Sequence, residues 1–172
     1  MRSWMLLPLL ALAACSEGEP APKAEAEAPA DKTMLAGQWE TSSEVTRLTQ
    51  HDSGAPEIDT PAGTTASFTS CLTEADRKKP AATLFAGAEA QCQYDNFYMS
   101  RGRMNATMKC RLPGVEGEVV ASVEGSHDAD SFEGTMTTST QLAGTGDVTV
   151  DAKLTGRRIG DCPAAPAEAT GQ

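Results

Sequence analysis

From Met34 to Cys162 the chain is patterned in twos. The cleanest stretch runs from Asp147 to Leu154, where Asp147, Thr149, Asp151 and Lys153 alternate with Val148, Val150, Ala152 and Leu154. Successive side chains of a strand point to opposite faces, so this alternation buries one face and wets the other. Phe132, Gly134, Met136, Thr138, Thr140 and Leu142 form a second stripe, and Ala143-Gly144-Thr145-Gly146 would join the two strands as a hairpin. Val119, Ala121 and Val123 mark another strand, entered through the turn Leu112-Pro113-Gly114-Val115. Tyr94, Phe97, Tyr98 and the methionines around Arg101-Gly102 suit a further hairpin, and Trp39 to Leu48 and Ala62 to Ser70 read as the earlier strands. The helical signal is Thr73 to Lys79, with Thr73 as cap, Asp76 three residues on and Pro80 as terminator; Ala81 to Phe85 suits a second short turn. The pattern predicts an all-β domain. About seven strands form an antiparallel meander curled into a barrel, half-barrel or sandwich, with one short helix after the second strand.

The flanks do not share this pattern. Residues 1–14 carry Arg2 and then an apolar run from Trp4 to Ala14 that is too short to span a bilayer, the layout of a secretory signal. Its end, Leu12-Ala13-Ala14-Cys15, resembles the bacterial lipobox, which implies cleavage before Cys15 and acylation of that cysteine. Several acyl chains anchor stably where one is marginal. Ser16 rather than Asp follows the cysteine, which by the same resemblance implies the outer membrane, with the domain in the periplasm. Residues 15–33 comprise this cysteine and a tether rich in Ala, Glu and Pro with nothing large to bury; residues 163–172 are similar, and both are expected to be disordered. The domain is therefore residues 34–162.

Composition sharpens the picture in two places. The 172-residue chain has a formal net charge of -10, and residues 34–162 alone hold 18 acids and 11 bases. That balance argues against nucleic acid as a partner. Leu, Ile, Val and Phe supply only 20 of those 129 residues, so the hydrophobic core is thin and crosslinks become important.

The five cysteines divide into one and four. With Cys15 as the lipid anchor, Cys71, Cys92, Cys110 and Cys162 remain for an oxidising compartment, and none of their spacings is a CxxC. If Met99 faces Arg103 across a three-residue loop, Cys92 and Cys110 are direct cross-strand neighbours and can bridge. The remaining pair is Cys71 with Cys162, closing a long loop.

Candidate chemistry is sparse. Ser126-His127-Asp128 lists triad residues in a row, but neighbours in a strand point apart and cannot relay, so a polar turn is expected. Asp128, Asp130 and Glu133 lack the fuller acidic pattern and the Gly of a calcium loop. Glu116 and Glu118 are expected on a wet face. Met99, Met104 and Met108 offer thioethers of the kind that bind Cu(I), a lesser alternative to core filling. Gly37-x-Trp39 with Arg157 and Arg158 is similar to the lipocalins, in which a late Arg covers a Trp at the barrel base. On that reading Trp39, Phe132, Val148, Val150 and Arg157 line an interior cavity; the favoured alternative is that Trp39 simply plugs the end of a small barrel.

Six pieces of the chain carry a resemblance over the whole domain. They are Gly37-Gln38-Trp39-Glu40, Cys71-Leu72-Thr73, Phe85, Cys92-Gln93-Tyr94-Asp95, Gly102 to Cys110, and Gly156 to Cys162. In order and spacing the chain resembles the family called domain of unknown function 3617, small secreted or lipidated proteins of Gram-negative bacteria, although its last strands are poorer in Met. The resemblance supports the domain boundaries and both bridges and implies no activity. The expectation is a non-enzymatic periplasmic lipoprotein of the outer membrane, without cofactor or metal, that touches the membrane through its lipid and binds a small apolar or lipidic ligand. The alternative is an envelope protein–protein interaction or structural module.

Overall fold

The computed structural model describes residues 32–141 and 145–164. The leader, Cys15, nearly all of the tether, Leu142 to Gly144 and the end of the tail lie outside the described residues. Seven strands form: β1 (Gly37–Gln50), β2 (Thr65–Leu72), β3 (Gln93–Ser100), β4 (Arg103–Cys110), β5 (Glu118–His127), β6 (Ser131–Gln141) and β7 (Val148–Gly160). One turn of helix, α1 (Thr83–Ala86), lies between β2 and β3. All seven strands join in one antiparallel sheet in the order β2-β1-β7-β6-β5-β4-β3. From β3 to β7 it is the expected meander, and β1 closes back onto β7 and carries β2 on its far side. The outer strands β2 and β3 are the two ends of the sheet, so of the three expected shapes the molecule adopts the half-barrel.

The period of two in the sequence appears directly as burial. Val119, Ala121 and Val123 of β5, Met104, Ala106 and Met108 of β4, and Val148, Val150, Ala152 and Leu154 of β7 are all buried. Trp39 of β1, Phe132 of β6, Met104 and Leu154 share one core cluster with Leu84 and Phe85 of α1. The sheet curls round the helix turn. Phe132 sits at the centre, with Trp39 stacked at 6.0 Å on one side and Phe85 edge-on at 5.4 Å on the other. Burying side chains of this size stabilises the fold by roughly 2–3 kcal/mol each, which offsets the shortage of Leu, Ile and Val.

The helix is not where the capping signal put it. Thr73 to Lys79 forms successive four-residue turns, with Asp76 N–H on the Thr73 carbonyl at 3.1 Å and Lys79 N–H on that of Asp76 at 3.0 Å. The Thr73 hydroxyl bonds the Asp76 carboxylate at 2.5 Å instead of capping a main-chain N–H. The segment TEADRKK offers no apolar stripe, and so short a helix does not hold without one. One turn further on, Leu84 and Phe85 can be buried, and the helical turn forms there. The Thr41 hydroxyl of β1 donates to the Leu84 carbonyl at 2.7 Å and fastens α1 to the sheet.

Both bridges form as expected. Cys92 and Cys110 join the ends of β3 and β4 with Cα atoms 4.0 Å apart. Cys162, just past β7, reaches across the start of β1 to Cys71 of β2, with Cα atoms 5.5 Å apart. The hairpin register leading to the first bridge differs from expectation. Ser100 faces Arg103, so the loop is the two residues Arg101-Gly102, and the pairing moves by one residue between Tyr94 and Asn96. That bulge brings Tyr94 opposite Met108 and Gln93 opposite Lys109, which restores Cys92 to Cys110.

Candidate functional site

The half-barrel has two unlike ends. At the end where β1 begins, Trp39 and Phe132 fill the interior and Met34, wholly buried, joins the same cluster. The Trp39 indole N–H donates to the Leu35 carbonyl at 3.0 Å. His127 is buried at the end of β5, with neither ring nitrogen hydrogen-bonded to any described group. Its burial holds its pKa below 6.5, against the opposing pull of the Lys32 and Asp128 main chain. Beside it the Lys32 ammonium pairs with the Asp128 carboxylate at 2.8 Å, so Ser126-His127-Asp128 forms no relay.

The opposite end holds a cavity of about 170 Å³. Val119 and Ala121 of β5, Met136 and Thr138 of β6 and Val150 of β7 form its floor. The Cys92–Cys110 bridge, Leu112, Ala86 and Ala90 wall one side, Ile58 and Thr60, from the connection between β1 and β2, line another, and the remainder opens to solvent. Its lining is overwhelmingly apolar, and its polar side chains are two threonine hydroxyls. The Thr60 hydroxyl oxygen is buried and has no hydrogen-bond partner among the described residues.

That connection is fastened by a carboxylate. Asp52 accepts N–H bonds from Gly54 at 2.8 Å, Gly146 at 2.8 Å and Asp147 at 3.0 Å. These bonds, with a smaller contribution from His51, hold its pKa below the ordinary carboxylate value. His51 N–H also reaches the Asp147 carbonyl at 2.9 Å, and Glu57 N–H reaches that of Gly146 at 3.2 Å. The β1–β2 connection is thereby stitched to the start of β7.

The residues expected to line a cavity are divided between the two ends. Val150 lines the cavity. Trp39, Phe132 and Val148 are packed into the core instead. Arg157 points away from the interior and pairs with Glu40, its cross-strand neighbour, at 2.7 Å. The reason is parity. In β7 Leu154 and Gly156 face inward, so Arg158 also faces inward and Arg157 cannot. Nor does Arg158 cover Trp39; its guanidinium donates to the Ala36 carbonyl and pairs with Asp161. Among the described residues the cation found over a ring is Lys79, above Tyr94 at 5.8 Å. The Tyr94 hydroxyl donates to the Pro80 carbonyl, and burial pushes its pKa well above the usual tyrosine value. Met104 and Met108 lie in the core, and Met99 is packed against it. Cys15 lies outside the described residues.

Ile58 and Thr60 were not anticipated from the sequence. The available signal was an isolated Ile in a polar stretch that holds one of the two isoleucines between residues 34 and 162. Large apolar side chains exposed on the described surface are Leu35, Tyr98 and Ile159, little material for a docking face.

The model of the family described as Protein of unknown function (DUF3617) matches residues 34–162. No curated protein and no solved structure matches the chain.

Proposed function

The chain belongs to that family of unknown function, and we propose that it is a non-enzymatic periplasmic lipoprotein of the outer membrane that holds a small apolar molecule, or the end of a lipidic one. The observation that carries this reading is the cavity of about 170 Å³ beside Ile58 and Thr60. An enclosed apolar cavity of roughly 150 Å³ accepts benzene; this one is similar in volume and also opens to solvent. A space of this size suits one ring or a short branched chain rather than a whole acyl tail. The anchor rests on Leu12-Ala13-Ala14-Cys15 and the outer-membrane address on Ser16.

Native mass spectrometry of protein purified from its own envelope tests the binding reading. A retained small molecule is expected, and it should be lost when Ala121, which is buried in the cavity floor, is enlarged by Ala121→Leu. Retention of the same molecule by that variant would place it elsewhere. Cys15→Ser should move the protein from the membrane fraction to the soluble one, and continued membrane association would sink the anchor.

A further inference from the structure

We propose that Lys32 to Leu35 form a strap that opens in acid, with His127 beneath it as the group that takes up the proton. The strap lies at the plugged end of the half-barrel and is independent of the cavity. It is tied to the β5–β6 turn, to β1 and to the segment after β2. The Lys32 ammonium pairs with the Asp128 carboxylate at 2.8 Å, and both groups are exposed. The Leu35 N–H donates to the Ala129 carbonyl at 2.7 Å, and the Leu35 carbonyl accepts the Trp39 indole N–H at 3.0 Å. The Met34 carbonyl accepts from the Arg77 guanidinium at 2.6 Å, and the Met34 side chain is wholly buried.

His127, at the end of β5, is 4% exposed, and neither ring nitrogen has a hydrogen-bond partner among the described residues. Around it the strap brings the Lys32 ammonium and main chain, and the β5–β6 turn brings the Asp128 carboxylate and main chain. The β3–β4 turn brings the Gly102 carbonyl, which accepts the His127 main-chain N–H at 2.9 Å, while Arg101 and Arg103 on either side are exposed. From β6 the residue directly opposite is Phe132, which is uncharged. An imidazolium at this depth is costly without water or a carboxylate beside it. Protonation therefore sets two cations, His127 and Lys32, against one carboxylate, Asp128. His127 is fixed at the end of a strand that is paired on both sides, whereas Lys32 sits on the incoming chain and is the one that can leave. Its departure admits water to the ring and hands Asp128 to His127. The lowered pKa of the ring agrees, since the closed form resists a proton that the open form accepts. Opening also adds four residues, about 14 Å, to the reach of the segment that follows Cys15.

The test is hydrogen exchange of the full chain between pH 7 and pH 5, corrected for intrinsic rates and read by NMR at the Leu35 amide and at the Val123 amide in the middle of β5. The Leu35 amide should open more often than Val123 and with little dependence on denaturant, as a local event does. Its opening should rise as pH falls, by up to about thirtyfold at pH 5, the ceiling for one proton taken up by an imidazole released to its ordinary pKa of 6.5. His127→Leu should abolish the rise. Lys32→Gln, which removes the competing cation, should raise the midpoint at which the His127 ring titrates and shrink the rise. Exchange of Leu35 only together with Val123 would overturn the strap. An opening indifferent to pH, or a rise that survives His127→Leu, would overturn the trigger. Should His127→Leu fail to fold, an unmoved His127 midpoint in Lys32→Gln overturns the competition by itself.

Discussion

At the scale of single residues, this fold depends on a few positions where one atom decides the outcome. Gly156 of β7 is buried against the Phe132 ring, and a Cβ there would lie only 2.0 Å from a ring carbon. Gly156→Ala should therefore displace the ring at the centre of the core and cost about 2–3 kcal/mol, read as a lower urea midpoint. The two ends of the half-barrel also titrate differently. His127 has its pKa lowered from 6.5 by burial. Above that pH both the folded and unfolded forms are neutral. As pH falls through 6.5 the unfolded chain takes up a proton that the folded one resists, and stability falls. His127→Leu should flatten this slope between pH 7 and pH 5 and, by removing two unbonded nitrogens, should not destabilise at pH 7. Asp52 acts in a lower window. Its pKa is depressed below the ordinary 3.8, so its contribution is complete above that value and is lost as pH falls through the folded value. Asp52→Asn should leave the slope between pH 7 and pH 5 untouched and abolish part of the loss below 4. Hydrogen exchange at Gly146 and Asp147 reports its release directly.

At the scale of elements, strands were legible and junctions were not. Alternation marked β5, β6 and β7 because a half-buried sheet writes its two faces into every second residue. The hairpin of β3 and β4 shows how a correct pairing can come from a wrong local geometry. Arg101-Gly102 forms a two-residue turn with φ of 52° and 76°, and the bulge at Asp95 then supplies the residue that the expected three-residue loop would have supplied. Nothing in Tyr94-Asp95-Asn96 announces a bulge, because bulges answer to the twist of the sheet rather than to residue preference. Arg101 is a poor choice at a left-handed position, where a side chain with a Cβ costs roughly 1–2 kcal/mol. Arg101→Asn should recover about 0.5 kcal/mol, since Asn-Gly is the favoured pair in such turns, and thermal unfolding would show it as a raised Tm. The helix misplacement has the opposite cause. Capping residues at Thr73 were real, but Leu84 and Phe85 had somewhere to be buried, and burial outweighs a cap.

At the scale of the whole molecule, an open sheet with a thin core is held by crosslinks that act at its two ends. Cys71–Cys162 closes a separation of 91 residues and ties β2 to the end of β7 across β1, whereas Cys92–Cys110 closes 18. Loop-closure entropy assigns about 4.6 kcal/mol to the first and about 3 to the second. Paired Cys→Ser replacements should show that order in urea midpoints, measured at pH 7 without reductant. A larger loss from Cys92→Ser with Cys110→Ser would mean that the bridge beside the cavity contributes through packing rather than chain entropy. Either loss is serious, because a domain of this size has only about 5–15 kcal/mol in all.

The sequence by itself determined the inward and outward faces of β5, β6 and most of β7, the strand count and the family, because each of these is written in short-range periodicity or local motifs. Only the tertiary structure decided that β1 pairs with β7, that the sheet stays open between β2 and β3, and that α1 occupies the curl. It also decided which inward residues fill and which line. Trp39 and Phe132 alternate like Ala121 and Val150, yet the first two meet each other at a plugged end while the last two face a space lined also by Ile58 and Thr60 from a distant connection. Alternation says which way a side chain points. What it meets there depends on side chains from strands far away in the chain, and that no local pattern records.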